Sequence, residues 1–557
     1  MKLETLFENK SYLHLLLLFI LCYFAFFIFS DTFFVNIMEA RNFVTAREMI
    51  AKGNWLVPSM NGELRLAKPP LPTWITALFG MYFGIENLSL LRFPAGVMGI
   101  LMVVFMYRFT LSLNGKRSAA FINSLVLLSS FYVLYMSRTG TWDIYCHSFM
   151  LGAIWLLFEG WKTENKNWNY FIGAGVLLGL SFLSKGPVAF FALFLPFLIA
   201  YCWVYGGKVI LRKWQPFVLA LFIFALISFW WPVYIAVAHA QEAAAIAKLE
   251  SGSWINRHVR PFYYYWNFPI QSGIWTLVIA SGLLVPYALK RFESKKEYKF
   301  ALIWTLSAVV LLSLFPEKKD RYLLPVMLPS AILAGQVLQH LIKVFQNKTA
   351  DKWDRLVWGV NFWLIAIVTL ALPIAVYMLF YQKGDMPLAQ FIVFSVFCEA
   401  LFVYLLSCWK KKSVRGFILS MVALMALAEI FIIPNTKGIV NRNPDFKNIR
   451  EVRNITAIQD LNYYSIGKEG FRIELVWEVG KEVKAWNFDG SNNIPEHKAF
   501  VVFSSTPPES VIPKEIQARV NIETLEFYDY NRYSKGRHRN KPHFQKYVSV
   551  ITPMPDL

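Results

Sequence analysis

Cationic side chains occur in this sequence where they could hold an anion. SRTGTWD contributes Arg138 and Asp143, and SKGP contributes Lys185. NRHVRPFYYYWNFP adds Arg257, His258 and Arg260, and PEKKDRYLLP adds Lys318, Lys319 and Arg321 with Tyr322 beside it. Upstream, the stretch around NIMEARNFVTAREM supplies Glu39, Arg41 and Arg47, followed by Arg65 and Lys68. Arginine forks and lysine point charges both suit phosphate. Glu39 and Asp143 have the chemistry of a general base. Tyr263, Tyr264, Tyr265 and Trp266 suit a membrane interface and also suit stacking on a sugar face or covering a lipid tail. Each motif alone has a plainer reading. Long cations snorkel from helix ends, FYYYWNF fits an aromatic belt, and His258 is a polar loop residue with no second ligand at metal spacing.

The elements that must position these residues are apolar. Hydrophobic residues make up 56% of the chain and aromatics 17%. About thirteen runs are long enough to cross a bilayer. They begin near Leu13, Leu88, Ala119, Ile144, Trp168, Pro187, Phe217, Phe268, Phe300, Leu323, Val357, Pro387 and Gly416. The chain reads as a polytopic α-helical membrane protein, with its first span an uncleaved anchor. Lys and Arg recur in every second connection, as at Lys116/Arg117, Lys208/Arg212/Lys213 and Lys410/Lys411/Lys412. That ladder fits about seven cytoplasmic segments. The net charge of +20 is therefore mostly topological and points away from nucleic acid. The five cysteines lie in or beside apolar runs and outline no disulfide framework.

With the N-terminus cytoplasmic, the exceptional cations fall in five outer connections. Charge at a bilayer boundary is costly unless it is paired or used. Five connections with the same exception imply one outer-leaflet cavity that receives an anionic, lipid-linked substrate. Residues 1–434 read as the membrane domain, including a long first loop at 31–87. Residues 435–557 read as an outer, small α/β domain of about 110 residues. Within it, FKNIREVRNITAIQDL predicts a helix, and FRIELVWEV, KAFVVFSS and YVSVIT predict strands.

The motifs also carry a resemblance. EARNFVTAREMIAKGNWLVPSMNGELRLAKPPLPTW resembles the first periplasmic loop of the aminoarabinose transferase and protein O-mannosyltransferase superfamily. These are GT-C glycosyltransferases. RFPAG, SR followed by Asp143, SKGP, RPFYYYW and KKDRYLLPVMLP follow in the family's order. The resemblance implies a GT-C membrane fold with a soluble C-terminal domain, in a bacterial inner membrane, with the site facing the periplasm. It implies an inverting transferase that takes a sugar from a polyprenyl-phosphate donor, with lipid A the expected acceptor. Lys68 and Arg321 match positions around the donor phosphate, and Arg138 and Arg260 are further candidates. Glu39 and Asp143 are the candidate bases. Arg41, Lys185, His258, Tyr263, Tyr264 and Tyr322 are candidate substrate contacts. Met38 stands where the family pattern has the first acid of a pair, and Ala67 where relatives often have an acid associated with a metal. Neither a metal nor any other cofactor is expected.

A phosphate acceptor is already ionised and needs no strong base, whereas a hydroxyl acceptor does. Protein O-glycosylation is the alternative within the enzymes. A transporter of lipid-linked sugars is the alternative outside them, although the sequence has no convincing internal repeat.

Overall fold

The computed structural model describes residues 11–256, 258–436, 442–467, 470–488, 494–537 and 540–554. The chain forms two compact units. One comprises Met1–Asp31, Leu66–Ile75 and Asn87–Pro434, the other Thr32–Arg65, Thr76–Glu86 and Asn435–Leu557. The long first loop is thus divided between them.

In chain order, the helices that carry functional residues or hold them in place are α1 (Ser11–Phe26), α2 (Ile37–Lys52), α3 (Trp142–Lys162), α4 (Trp168–Lys185), α5 (Trp214–Ala238), α6 (Ala240–Asn256), α7 (Leu324–Gln346), α8 (Lys352–Val376) and α9 (Ile473–Val479). The strands are β1 (Ser59–Met60), β2 (Glu63–Leu64), β3 (Tyr463–Ser465), β4 (Val483–Ala485), β5 (Phe500–Ser504), β6 (Val520–Asp529) and β7 (Gln545–Pro553).

The first unit is the multi-pass membrane part. Among the described residues, seven helices are long and apolar enough to cross a bilayer. Two bent helix pairs raise that to nine, and three shorter apolar helices accompany them. Several of the thirteen apolar runs are therefore bent or short rather than single straight spans. Small residues set the packing around α4. A Cβ added at Gly175 would stand 2.5 Å from the Ala220 carbonyl oxygen, and one at Gly179 would stand 2.6 Å from Ile227. Glycine four residues apart lets α5 approach the α4 backbone, as small-residue stripes do between membrane helices. Helix α3 packs along α4 as well.

Arg138 follows the short helix Phe131–Ser137 and is buried. Its Nε donates to the Ala25 carbonyl at 2.5 Å and its NH1 to that of Ile28 at 2.9 Å. Arg92 NH1 donates to Ser30 at 2.6 Å. The two guanidiniums satisfy carbonyls in the last turn of α1 and in the turn that follows it. At the start of α8, Asp351 and Asp354 close a capping box, and Arg291 NH2 meets Asp351 at 2.6 Å.

The second unit combines α2, α9 and a mixed five-stranded sheet in the order β4-β3-β5-β7-β6. Strand β3 runs parallel to β4 and β5, whereas β5, β7 and β6 are antiparallel neighbours. KAFVVFSS and YVSVIT supply β5 and the middle of β7. FRIELVWEV, expected as a strand, instead forms α9. Glu474 to Val479 are all buried, so no alternation marks a strand face, and Gly480 at φ 83° stops the helix with an N–H bond to Val476. FKNIREVRNITAIQDL, expected as a helix, is helical as two 3₁₀ turns, Ile449–Asn454 and Thr456–Ile458, separated by an extended Ile455. Its apolar residues recur every three positions, which is the 3₁₀ repeat rather than that of an α-helix.

Candidate active site

Asp143 and Lys185 meet inside the first unit. Asp143 lies in the first turn of α3 and Lys185 in the last turn of α4, so close packing of these two helices brings the side chains together. Lys185 Nζ donates to Asp143 Oδ1 in a short contact, with the side chains 5% and 1% exposed. The other oxygen, Oδ2, has no hydrogen-bond partner. One helical turn on, His147 is also buried, and its Nδ1 is unpartnered.

The PEKKDRYLLP segment completes this cluster. Its 3₁₀ turn, Asp320–Leu323, leads into α7. Lys185 Nζ lies 5.5 Å from the centre of the Tyr322 ring, Lys319 Nζ 5.7 Å and Arg321 Cζ 5.8 Å, so three cations surround one phenol. Lys319 pairs with Glu317. Arg321 acts electrostatically on the Asp143 carboxylate, and its buried Nε makes no hydrogen bond. Lys318 is buried, its ammonium donates to the Phe315 carbonyl, and burial lowers its pKa.

The NRHVRPFYYYWNFP segment is stitched to the same loop. Val259 and Glu317 form an isolated antiparallel bridge. The Lys318 N–H donates to the His258 carbonyl at 3.1 Å, and that of Arg260 to Pro316 at 3.2 Å. Tyr264 donates its hydroxyl to Asp320, and the buried Tyr265 exchanges hydrogen bonds with the Lys319 backbone. His258, Arg260 and Tyr263 are exposed. His258 has a left-handed backbone at φ 51°. Arg257 lies outside the described residues.

Beside these groups is a cavity of about 300 Å³. Pro187, Phe191, Leu312 and Phe315 give it an apolar wall, while His147, Glu317 and Tyr322 supply its polar groups. An amphiphile with a charged head and a hydrocarbon tail fits that division of chemistry. The arrangement can neutralise growing negative charge with cations fixed in place beforehand.

Other expected site residues lie elsewhere. Lys68, in the first unit, is ion-paired with Glu250 of α6 at 2.9 Å. Arg138 caps α1. Glu39, in the second unit, is fully buried at N3 of α2, where its Oε2 accepts from the Asn36 backbone at 3.2 Å and side chain at 2.8 Å. Arg41 is half-buried on the same helix, and its carbonyl accepts from Arg65. Met38 is buried in the first turn of α2. His147 escaped the sequence reading, although an acid and a histidine four residues apart on one helix share a face and could have signalled it.

A family model described as dolichyl-phosphate-mannose-protein mannosyltransferase matches residues 67–231. Across almost the whole length, the structure superposes on a crystal structure of ArnT from Cupriavidus metallidurans bound to undecaprenyl phosphate. The TM-score is 0.68 with 16% identity, over 96% of this chain and 97% of that one. The chain has the fold of that structure. Its sequence relatives include an undecaprenyl phosphate-α-4-amino-4-deoxy-L-arabinose arabinosyl transferase 2 of Proteus mirabilis, 28% identical over 56% of each chain. A transferase named for the same sugar in Shewanella sediminis is 26% identical over 71% of this chain and 72% of its own length. An uncharacterised Aquifex aeolicus protein is 27% identical over 56% of this chain and 62% of its own. The chain spans little more than half the length of several of the relatives it matches.

Proposed function

We propose that this protein is an inverting glycosyltransferase of the GT-C type, moving a sugar from a polyprenyl-phosphate donor to lipid A at the periplasmic face of a bacterial inner membrane. The observation that carries this reading is the meeting of Asp143, Lys185, Arg321 and Tyr322 beside an apolar cavity. The names of the relatives supply the donor and the sugar class, an undecaprenyl-phosphate-linked aminopentose. The distribution of Lys and Arg between connections supplies the orientation.

Departure of polyprenyl phosphate leaves an additional negative charge on the phosphate oxygens. Lys185, Lys319 and Arg321 are placed to stabilise it without reorganising at the moment of reaction. Lys68, paired with Glu250 outside this cluster, is a separate cation that an anionic donor can claim by displacing that carboxylate. The unpartnered Asp143 Oδ2 and His147 Nδ1 have hydrogen-bonding capacity left for the sugar or the acceptor. Attack opposite the leaving phosphate inverts the anomeric carbon. A lipid A phosphate is already ionised, so orientation rather than proton removal supplies most of the acceleration.

Mass spectrometry of lipid A tests the proposal in a host lacking this protein, in the same host carrying it, and in one carrying Lys68→Ala. A sugar-sized mass gain only with the intact protein is the expected result. No gain with the intact protein refutes lipid A as acceptor, and a full gain with Lys68→Ala refutes the role given to Lys68.

A further inference from the structure

The connection between β6 and β7 is unusual in charge. From Arg532 to Lys546 the sequence has six Lys and Arg and two His, and no Asp or Glu occurs between Tyr530 and Pro555. His538 and Arg539 lie outside the described residues. The remaining cations fall into two groups. Arg532 and Lys546 belong to the base: the Arg532 guanidinium lies 4.0 Å from the Phe34 ring centre, and Lys546 donates to Ser505 at 2.8 Å. Lys535, Arg537 and Lys541 are exposed, and among the described residues they make no ion pair.

The base of the connection is firmly held. The buried Asn531 donates to Asp529 at 2.8 Å and to the Lys541 carbonyl at 3.0 Å, and its Oδ1 accepts from the Lys541 N–H at 2.8 Å. Asn540 donates to the Tyr533 carbonyl at 2.6 Å. The cations of the tip are therefore displayed together on a fixed base. A like-charge group of this kind repels itself when nothing of opposite sign is near.

The base of the hairpin is also close along the chain to the last apolar helix. The Arg442 N–H donates to the Arg532 carbonyl at 2.8 Å, and Ser534 donates to the Arg442 carbonyl at 2.7 Å. Arg442 is seven positions beyond Asn435, the end of the last apolar helix. Seven residues reach at most about 25 Å when fully extended.

We infer that this basic hairpin is a docking surface for the anionic phospholipid headgroups of the membrane in which the protein sits. Lys and Arg near such a surface contribute additively, each worth about a five-fold change in partition. The three exposed cations together are worth on the order of 100-fold. Such a contact would be the same whichever sugar is transferred, so the inference does not depend on the donor or the acceptor.

The test uses the full chain in phosphatidylcholine nanodiscs, mixed with vesicles of phosphatidylcholine alone or enriched in phosphatidate or phosphatidylglycerol. Capture of discs by anionic vesicles, weakening as salt is raised, is expected for the parent protein. K535Q/R537Q/K541Q should lower capture on the order of 100-fold, while the charge-retaining K535R/K541R keeps it. Equal capture of the parent and the triple variant would overturn the inference. So would equal capture by vesicles of phosphatidylcholine alone, or loss of capture in K535R/K541R.

Discussion

Replacing Lys185 by Met separates folding from chemistry. The wild-type ammonium and the Asp143 carboxylate are almost wholly buried, at 5% and 1% exposure, and bonded to each other. Removing one partner of such a pair leaves a buried charge without its counterion, at a cost of about 3–5 kcal/mol. Arg321 also acts on Asp143, so the lower end of that range is the better expectation. In D143N/K185M neither charge remains, and replacing a buried pair with neutral side chains is close to neutral for stability, within about 1–2 kcal/mol. Transfer should behave differently. Each single variant and the double variant lose preorganised electrostatics worth about 10²–10³-fold in rate. Denaturant unfolding in bicelles, followed by tryptophan fluorescence, reads the first effect, and donor turnover in the same preparation reads the second. The expected pattern is an unstable single variant and a stable double variant, both inactive. If K185M matches the wild type in stability, the ion pair does not matter to the fold. If the double variant turns over normally, the pair is no part of the catalytic machinery.

Glu250→Gln frees Lys68 of its carboxylate, and the donor KM should fall several-fold while stability changes by less than about 1 kcal/mol, as for other partly exposed pairs. Titrating the donor against both proteins checks this. His147→Leu removes an unpartnered buried polar group from the cavity wall and should leave the fold intact while lowering kcat/KM, measured at fixed acceptor. Arg138→Leu deserts the carbonyls of Ala25 and Ile28, so a loss of several kcal/mol is expected, about 1–3 for each acceptor left unsatisfied; yield and unfolding midpoint report it. Hydrogen bonding from Arg291 holds the Asp351 carboxyl at about 2, below its usual range near 4. Its contribution is present above about pH 4 and is lost as the pH falls toward 2. Asp351 is largely exposed, so the effect is below about 1 kcal/mol, and it should appear as a gap between wild type and Asp351→Asn at pH 6 that closes near pH 2.

Much of the site was legible because its charges broke a rule. Arg321, Lys185 and Asp143 were conspicuous as ionisable groups at the ends of apolar runs, and these three come together. Arg138 broke the same rule for another reason: its partners are backbone carbonyls more than a hundred positions earlier, and no side-chain pattern advertises a carbonyl. Glu39 was read as a base, yet N-x-x-E is also a capping-box signature, and Asn36 with Glu39 forms that box. In the second unit, β5 and β7 were visible as apolar β-branched runs. Segment α9 was not, because a fully buried run has the same composition whether helical or extended. The segment at 449–458 was legible as helical, and its three-residue spacing is that of the two 3₁₀ turns it forms.

The clasp that Arg138 places on the end of α1 has a consequence for biogenesis. The arginine follows Ala25 by 113 positions, which is about 6–23 s of synthesis at roughly 5–20 residues/s. During that interval the newly inserted first helix has terminal carbonyls at the bilayer edge with only water or lipid to receive them. Assembly therefore cannot be completed helix by helix from the N-terminus. The first span is held provisionally and locked only after the intervening helices are made and Arg138 has arrived. A truncation ending before Arg138 should expose the end of α1 to proteolysis, and one ending well beyond it should protect that end.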